Sequence, residues 1–142
     1  MAKVISINKS ETKGVIKTPQ SEGLFIEDFG LEGDAHAGKW HRQVSLLAEE
    51  SIEKMKVNLP NLKDGDFAEN ITTEGIVLYE LPVGTRLQIG QTIQEVTQIG
   101  KKCHKGCAIK NAVGECIMPK EGIFTKVIKG GLVKVGDEIK LI

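Results

Sequence analysis

Leu81-Pro82-Val83-Gly84-Thr85-Arg86-Leu87-Gln88-Ile89 has an echo near the other end of the chain, Val133-Lys134-Val135-Gly136-Asp137-Glu138-Ile139-Lys140-Leu141. Both read apolar, any, Val, Gly, polar, any, apolar, polar, apolar. The glycine suits a tight turn. The tail alternates with the period of two that a half-buried strand needs. Two turn-plus-strand units are thus predicted. Two copies with unlike spacing between them argue against a solenoid.

The same rhythm runs outward from these units. Sixteen glycines are scattered through 142 residues, and the segments between them are short. Strands are predicted at Lys3 to Asn8, Leu24 to Glu27, Val44 to Leu47, Thr92 to Ile99 and Phe124 to Ile128. A helix is predicted at Ala48 to Lys56, where Leu47, Ile52 and Met55 fall near one face and Glu49, Glu50 and Glu53 favour the N-terminal half. Asn58-Leu59-Pro60 stops it. A second short helix is expected near Pro119. Many strands, one to three short helices and no repeated βαβ pattern predict a mainly β fold, a closed or nearly closed barrel, in a single domain over residues 1–142.

Composition narrows the function. Lys plus Arg and Asp plus Glu number 19 each, so no net basic charge draws nucleic acid or a membrane surface. Aromatics are 4% of the chain, too few for a base-stacking platform. No apolar run reaches the length of a membrane span, and the N-terminal stretch lacks the apolar core of a signal peptide. A cytoplasmic location is therefore expected, with no nucleic-acid and no membrane partner. The three cysteines are then expected as free thiols.

Three segments could carry chemistry. Gly100-Lys101-Lys102-Cys103-His104-Lys105-Gly106-Cys107-Ala108-Ile109 sets two thiols and an imidazole among three lysines. Nearby cations favour the thiolate, which is both nucleophile and metal ligand. Cys107 and Cys103 are the candidate reactive thiols, and Lys105 a candidate contact to an anion. Two other readings stay open: a buried, inert Cys107, and a zinc site drawn from Cys103, Cys107, Cys116 and the histidines. The spacing lacks the second tight ligand pair that structural zinc usually shows.

Gly30 to Leu46 contains Asp34, His36, Trp40, His41 and Arg42 on a Gly-rich loop suited to contacting an anion. Its plainer reading is a structural loop in which Asp34 caps turns and Trp40 packs on the core. In Asp64 to Gly75, the Asp-Gly-Asp start lacks the ligand ladder of a calcium loop. Asn70 and Thr72 alternate along an extended stretch and could face one ligand. Arg86 is either an anion fork or half of a surface salt bridge. Phosphate-loop and nucleophile-elbow motifs are absent from the sequence.

These segments together resemble the MOSC family, named for the C-terminal domain of molybdenum cofactor sulfurase. The likeness rests on Gly33-Asp34-Ala35-His36 followed by Arg42-Gln43-Val44-Ser45-Leu46. It runs through Gly65-Asp66-Phe67-Ala68-Glu69-Asn70-Ile71-Thr72, Leu81 to Leu87 and Cys103 to Ile109, and closes with Val135-Gly136-Asp137. It implies a standalone domain with a barrel like that of the pyruvate-kinase β-barrel. It implies a role tied to the molybdenum cofactor, a molybdopterin carrying a dithiolene and a phosphate. Cys107 matches the family's key cysteine, which carries sulfur as a persulfide in sulfurases and ligates molybdenum in amidoxime-reducing enzymes. Cys103 would resolve or tune it. Arg42, Arg86, Asn70 and Thr72, with Asp34, His36 and Lys105, would contact the pterin and its phosphate.

The resemblance leaves three roles open. One is a cofactor-binding or sulfur-carrier protein. The second is a molybdenum-dependent reductase of N-hydroxylated compounds. The third is a non-catalytic module in cofactor assembly. The chain shows neither the N-terminal barrel of those reductases nor the pyridoxal-phosphate domain of the sulfurases. Sulfur would come from a partner cysteine desulfurase, and molybdoenzymes would receive it.

Overall fold

The computed structural model describes residues 2–12, 16–57, 60–100 and 121–142. In chain order the elements are β1 (Lys3–Lys9), β2 (Thr18–Gln20), β3 (Glu22–Ile26), β4 (Gly30–Leu31), β5 (Val44–Ala48) and α1 (Glu49–Lys56). They continue with β6 (Ile71–Glu74), a 3-10 turn (Leu78–Glu80), β7 (Arg86–Ile89), β8 (Thr92–Ile99), β9 (Ile123–Lys129), β10 (Gly131–Lys134) and β11 (Ile139–Leu141). The expected helix near Pro119 lies outside the described residues.

The two echoed units are neighbours in space. Gly84 and Gly136 have φ of 98° and 93°. Thr85 N–H donates to the Pro82 carbonyl at 3.1 Å, and Asp137 N–H to that of Lys134 at 3.0 Å. Glycine is thus third of four residues in each turn, the place where a positive φ excludes most side chains. The strands that follow, β7 and β11, pair antiparallel with Ile139 opposite Ile89 and Leu141 opposite Leu87.

Among the described residues, eight strands form one mixed sheet in the order β11-β7-β8-β9-β5-β6-β1-β2, and β10-β3-β4 form a second. Only β5 and β6 pair in parallel among these strands, and a parallel pair needs a crossover. Helix α1 and the segment after it supply one. The ladders of the large sheet end at β11 and β2, so the closed barrel expected from sequence is not what they establish. Its β11 side returns to β1 at a bridge, Lys3 opposite Glu138. Three backbone bonds flank that bridge: Val4 N–H to Asp137 O, Gly136 N–H to Val4 O, and Ile139 N–H to Ala2 O.

Strand β5 is buried along its whole length because it divides two apolar clusters. Val44, Leu46 and Ala48 join Val4, Ile7, Ile71, Leu87, Ile89 and Val96 in the main core. Leu47 points the other way, against Ile52, Leu62, Phe67, Phe124 and Met55. Helix α1 thus buries the face that its sequence marks, and each fully buried side chain of this kind stabilises by about 2 kcal/mol. Glu49 and Glu50 in its first turn, and Lys54 and Lys56 in its last, suit the helix dipole. No helix among the described residues is long and apolar enough to cross a membrane.

Candidate functional site

The loop after β4 carries Asp34, and Asp34 organises what surrounds it. Its Oδ1 accepts from Ser10 N–H at 3.0 Å and from Lys17 Nζ at 2.7 Å. Its Oδ2 accepts from His36 N–H at 3.1 Å. Both side chains of the Lys17–Asp34 pair are wholly shielded from solvent. Burial pushes the Asp34 carboxyl up, but the Lys17 ammonium, the Ser10 N–H and the Asn70 amide outweigh it, so the carboxyl lies below its ordinary range. Lys17 Nζ also lies 3.0 Å from His36 Nδ1.

The His36 carbonyl accepts from the Trp40 indole N–H at 2.8 Å, which sets the indole plane. The Arg42 guanidinium lies 4.6 Å from the centre of the Trp40 ring and 5.6 Å from that of Phe124. Cation–π contact of this kind is worth about 1 kcal/mol or more when desolvated. Arg42 Nε is buried and has no hydrogen-bond partner among the described residues. Beside this platform, His41 Nε2 lies 2.9 Å from Gln98 Oε1. Gln98 in turn donates to the Gly100 carbonyl at 2.7 Å, and Gly100 N–H to that of Gly122 at 2.7 Å.

Behind these groups lies a buried polar network. Asn70 Oδ1 accepts from Ser45 N–H at 3.0 Å and Ser45 Oγ at 3.2 Å, and Asn70 Nδ2 donates to the Asn8 carbonyl at 3.2 Å. Asn8 Nδ2 donates to the Glu69 carbonyl and to Thr72 Oγ1. Thr72 Oγ1 donates to Glu69 Oε2 at 2.8 Å, and Gly65 N–H donates to the same oxygen at 3.0 Å. Glu69 is fully buried, and its Oε1 has no partner among the described residues. Burial pushes its carboxyl up to about 7, although the Gly65 and Thr72 bonds oppose the shift.

Gly65 is where this network meets the Lys17 segment. Its φ is 90°, and a Cβ there would lie 2.3 Å from the Lys17 carbonyl oxygen, while Lys17 N–H donates to Gly65 O at 2.9 Å. Gly65→Ala should therefore cost about 2 kcal/mol or more. A thermal melt within one degree of the parent would refute this.

The structure brings Asp34, His36, Arg42 and Asn70 into one connected set. Asn70 and Thr72, whose alternation suggested that both could face one ligand, are fully buried and bonded to protein groups. Asp34 caps backbone turns, in keeping with the plainer reading of its loop. Arg86 stands apart: it pairs with Glu95 at 3.1 Å on the exposed side of β7, with Lys126 on the same carboxylate. Strands β8 and β9 separate it from β5. Cys103, Lys105, Cys107 and Cys116 lie outside the described residues, and the zinc alternative with them. Among the described residues no three His, Cys, Asp or Glu side chains gather to hold a metal ion.

Sequence reasoning missed Lys17 and Glu69. Lys17 sits in Ile16-Lys17-Thr18, where nothing distinguishes it from a solvated lysine, because its partner is 17 residues away. Glu69 lies inside a stretch already singled out, and a carboxylate flanked by Phe67, Ala68 and Ile71 was the available signal.

A family model for the MOSC domain matches residues 33–140. Solved structures share the fold. YiiM from Geobacillus stearothermophilus is 19% identical with a TM-score of 0.77, covering 100% of this chain and 75% of that one. The YuaD protein from Bacillus subtilis is 18% identical with a TM-score of 0.74, covering 98% and 94%. YiiM from Escherichia coli is 19% identical with a TM-score of 0.73, covering 100% and 70%. No curated protein matches the chain.

Proposed function

Since the chain belongs to the MOSC domain family, we propose that it binds the molybdenum cofactor, or carries sulfur for it, through Cys107. The observation that carries this reading is the Arg42 platform. A guanidinium between two aromatic rings, with Nε buried and offered no acceptor among the described residues, suits a flat, anionic heterocycle better than it suits a packed core.

The residues present fit such a group in part. Arg42 and His36 would hold its anionic portion, and Trp40 would lie along its ring. Asp34 and Asn70 would keep the loop in place, with Thr72 supporting them from the interior. The segment with Cys107 and Lys105 leaves β8 and re-enters β9, and its flanks, Gly100 and Gly122, are joined beside Gln98 and His41. The cofactor, when bound, would supply a metal centre able to take a soft sulfur ligand. The lysines near Cys107 in sequence would favour its thiolate. Arg86 is left outside this set.

Intact mass and metal analysis of the purified chain test the reading, after incubation with a cysteine desulfurase and cysteine and again after thiol reduction. Either a one-sulfur adduct on Cys107 that reduction removes, or bound molybdenum with pterin, is expected. Cys107→Ala should lose both. Neither signal in the parent chain, or signals unchanged in Cys107→Ala, would overturn the proposal. Molybdenum together with Cys107-dependent reduction of an N-hydroxylated base would identify the reductase role.

A further inference from the structure

Most catalytic histidines are oriented by an acceptor. A carboxylate or carbonyl takes the Nδ1 proton, and Nε2 is left as a base. The arrangement at His36 is the reverse. The group facing Nδ1 is Lys17 Nζ, at 3.0 Å. Nζ also lies 2.7 Å from Asp34 Oδ1 and 3.4 Å from Ser10 Oγ. Ser10 Oγ donates its own proton to the Thr12 carbonyl, so toward Lys17 it accepts.

An ammonium has three donors and no acceptor. The contact with the Asp34 carboxylate favours that charged form. Nδ1 must then accept, and the proton of the neutral ring sits on Nε2. An imidazolium would set two donors against each other 3.0 Å apart. Asp34 Oδ2 lies farther from Nδ1, at 3.8 Å, and is already engaged with the His36 backbone N–H.

We infer that Lys17 is a positioning residue that holds His36 in the Nε2–H tautomer, so that His36 serves its site as a hydrogen-bond donor and not as a base. The ligand class this fits is an oxyanion or carbonyl acceptor, such as a phosphate or a pterin oxygen. The inference rests on the cofactor reading for that ligand, but the tautomer itself stands on the contacts alone. His36 keeps a quarter of its side chain exposed, which gives the ring access to the surface while its Nδ1 faces the buried pair.

Long-range 1H–15N correlation spectra of the labelled full chain at neutral pH read the tautomer directly. His36 Nδ1 is expected in the unprotonated nitrogen range and Nε2 in the protonated range. In Lys17→Met the preference should be lost, with Nδ1 gaining proton character toward Asp34. If that variant fails to fold, Lys17→Met/Asp34→Asn removes both charges together and permits the same reading. An Nδ1–H tautomer in the parent chain would overturn the inference. So would an unchanged pattern in either folded variant. Because these spectra need no ligand, an absent sulfur adduct or absent molybdenum would sink the cofactor reading and leave the tautomer assignment standing.

Discussion

Asp34→Ala is expected to lower stability by about 3–5 kcal/mol, the usual loss when one partner of a buried ion pair is removed. Lys17 Nζ would then remain in the interior without the carboxylate at 2.7 Å. The Ser10 and His36 backbone N–H groups would lose their acceptor as well. Against a typical total of about 5–15 kcal/mol, such a loss leaves the chain marginal. Removing both charges should hurt far less, because an apolar pair of similar volume often replaces a buried ion pair at little cost. Lys17→Met/Asp34→Leu should therefore recover much of what Asp34→Ala loses. Urea melts of the two variants decide the matter. A loss under about 1 kcal/mol in Asp34→Ala would mean that solvent reaches the pair and that its burial contributes little.

The second large effect is in the pH dependence. Glu69 has an ordinary value of 4.5 and is raised to about 7 in the folded chain, chiefly by burial. Between those values the folded state holds a proton that the unfolded state releases. The contribution of Glu69 to stability should therefore fall as pH rises from 4.5 to 7 and level off beyond, by up to about 3 kcal/mol. Glu69→Gln copies the protonated side chain. Its amide oxygen can accept from Gly65 N–H and Thr72 Oγ1, and it carries no charge at any pH. At pH 8 this variant should be more stable than the parent, by on the order of 2 kcal/mol, and it should match the parent near pH 4.5.

Glu49 acts in the same direction, raised to about 8 by burial with Asp64 adding to the shift, so a shallower slope should persist in Glu69→Gln. Asp34 acts oppositely: its lowered value makes its contribution present above the ordinary carboxylate range and lost only in stronger acid. The three together set greatest stability on the acid side of neutrality. Equal melting curves for the parent and Glu69→Gln at pH 8 would sink this account.

What could be read in advance followed local rules. The period-two tails after Gly84 and Gly136 identified β7 and β11, because alternation reports which face of a strand is wet. Ile52 and Met55 marked the buried face of α1, which ends at Lys56, ahead of Pro60. The loop holding Asp34, His36 and Arg42 stood out because its residue types suit polar contacts. For Arg86, sequence left two readings open, and Glu95 from the next strand decided for a surface pair.

Sequence by itself determined the strand-rich character of the chain, its single described helix, its family, and the candidacy of Cys107. Those depend on composition, short-range pattern and motif order. Tertiary structure alone decided that the two echoed units pair with each other and that β5 divides two apolar clusters. It alone showed that Asn70 and Thr72 face inward, and that Lys17 lies behind His36. Each of these depends on which residues, 17 to more than 60 positions apart, are brought within hydrogen-bond reach. Desolvation is a property of that assembly, not of the residue. The same Lys or Glu side chain would be a solvated surface charge elsewhere, and here it sets a tautomer or holds a proton because the fold removed its water.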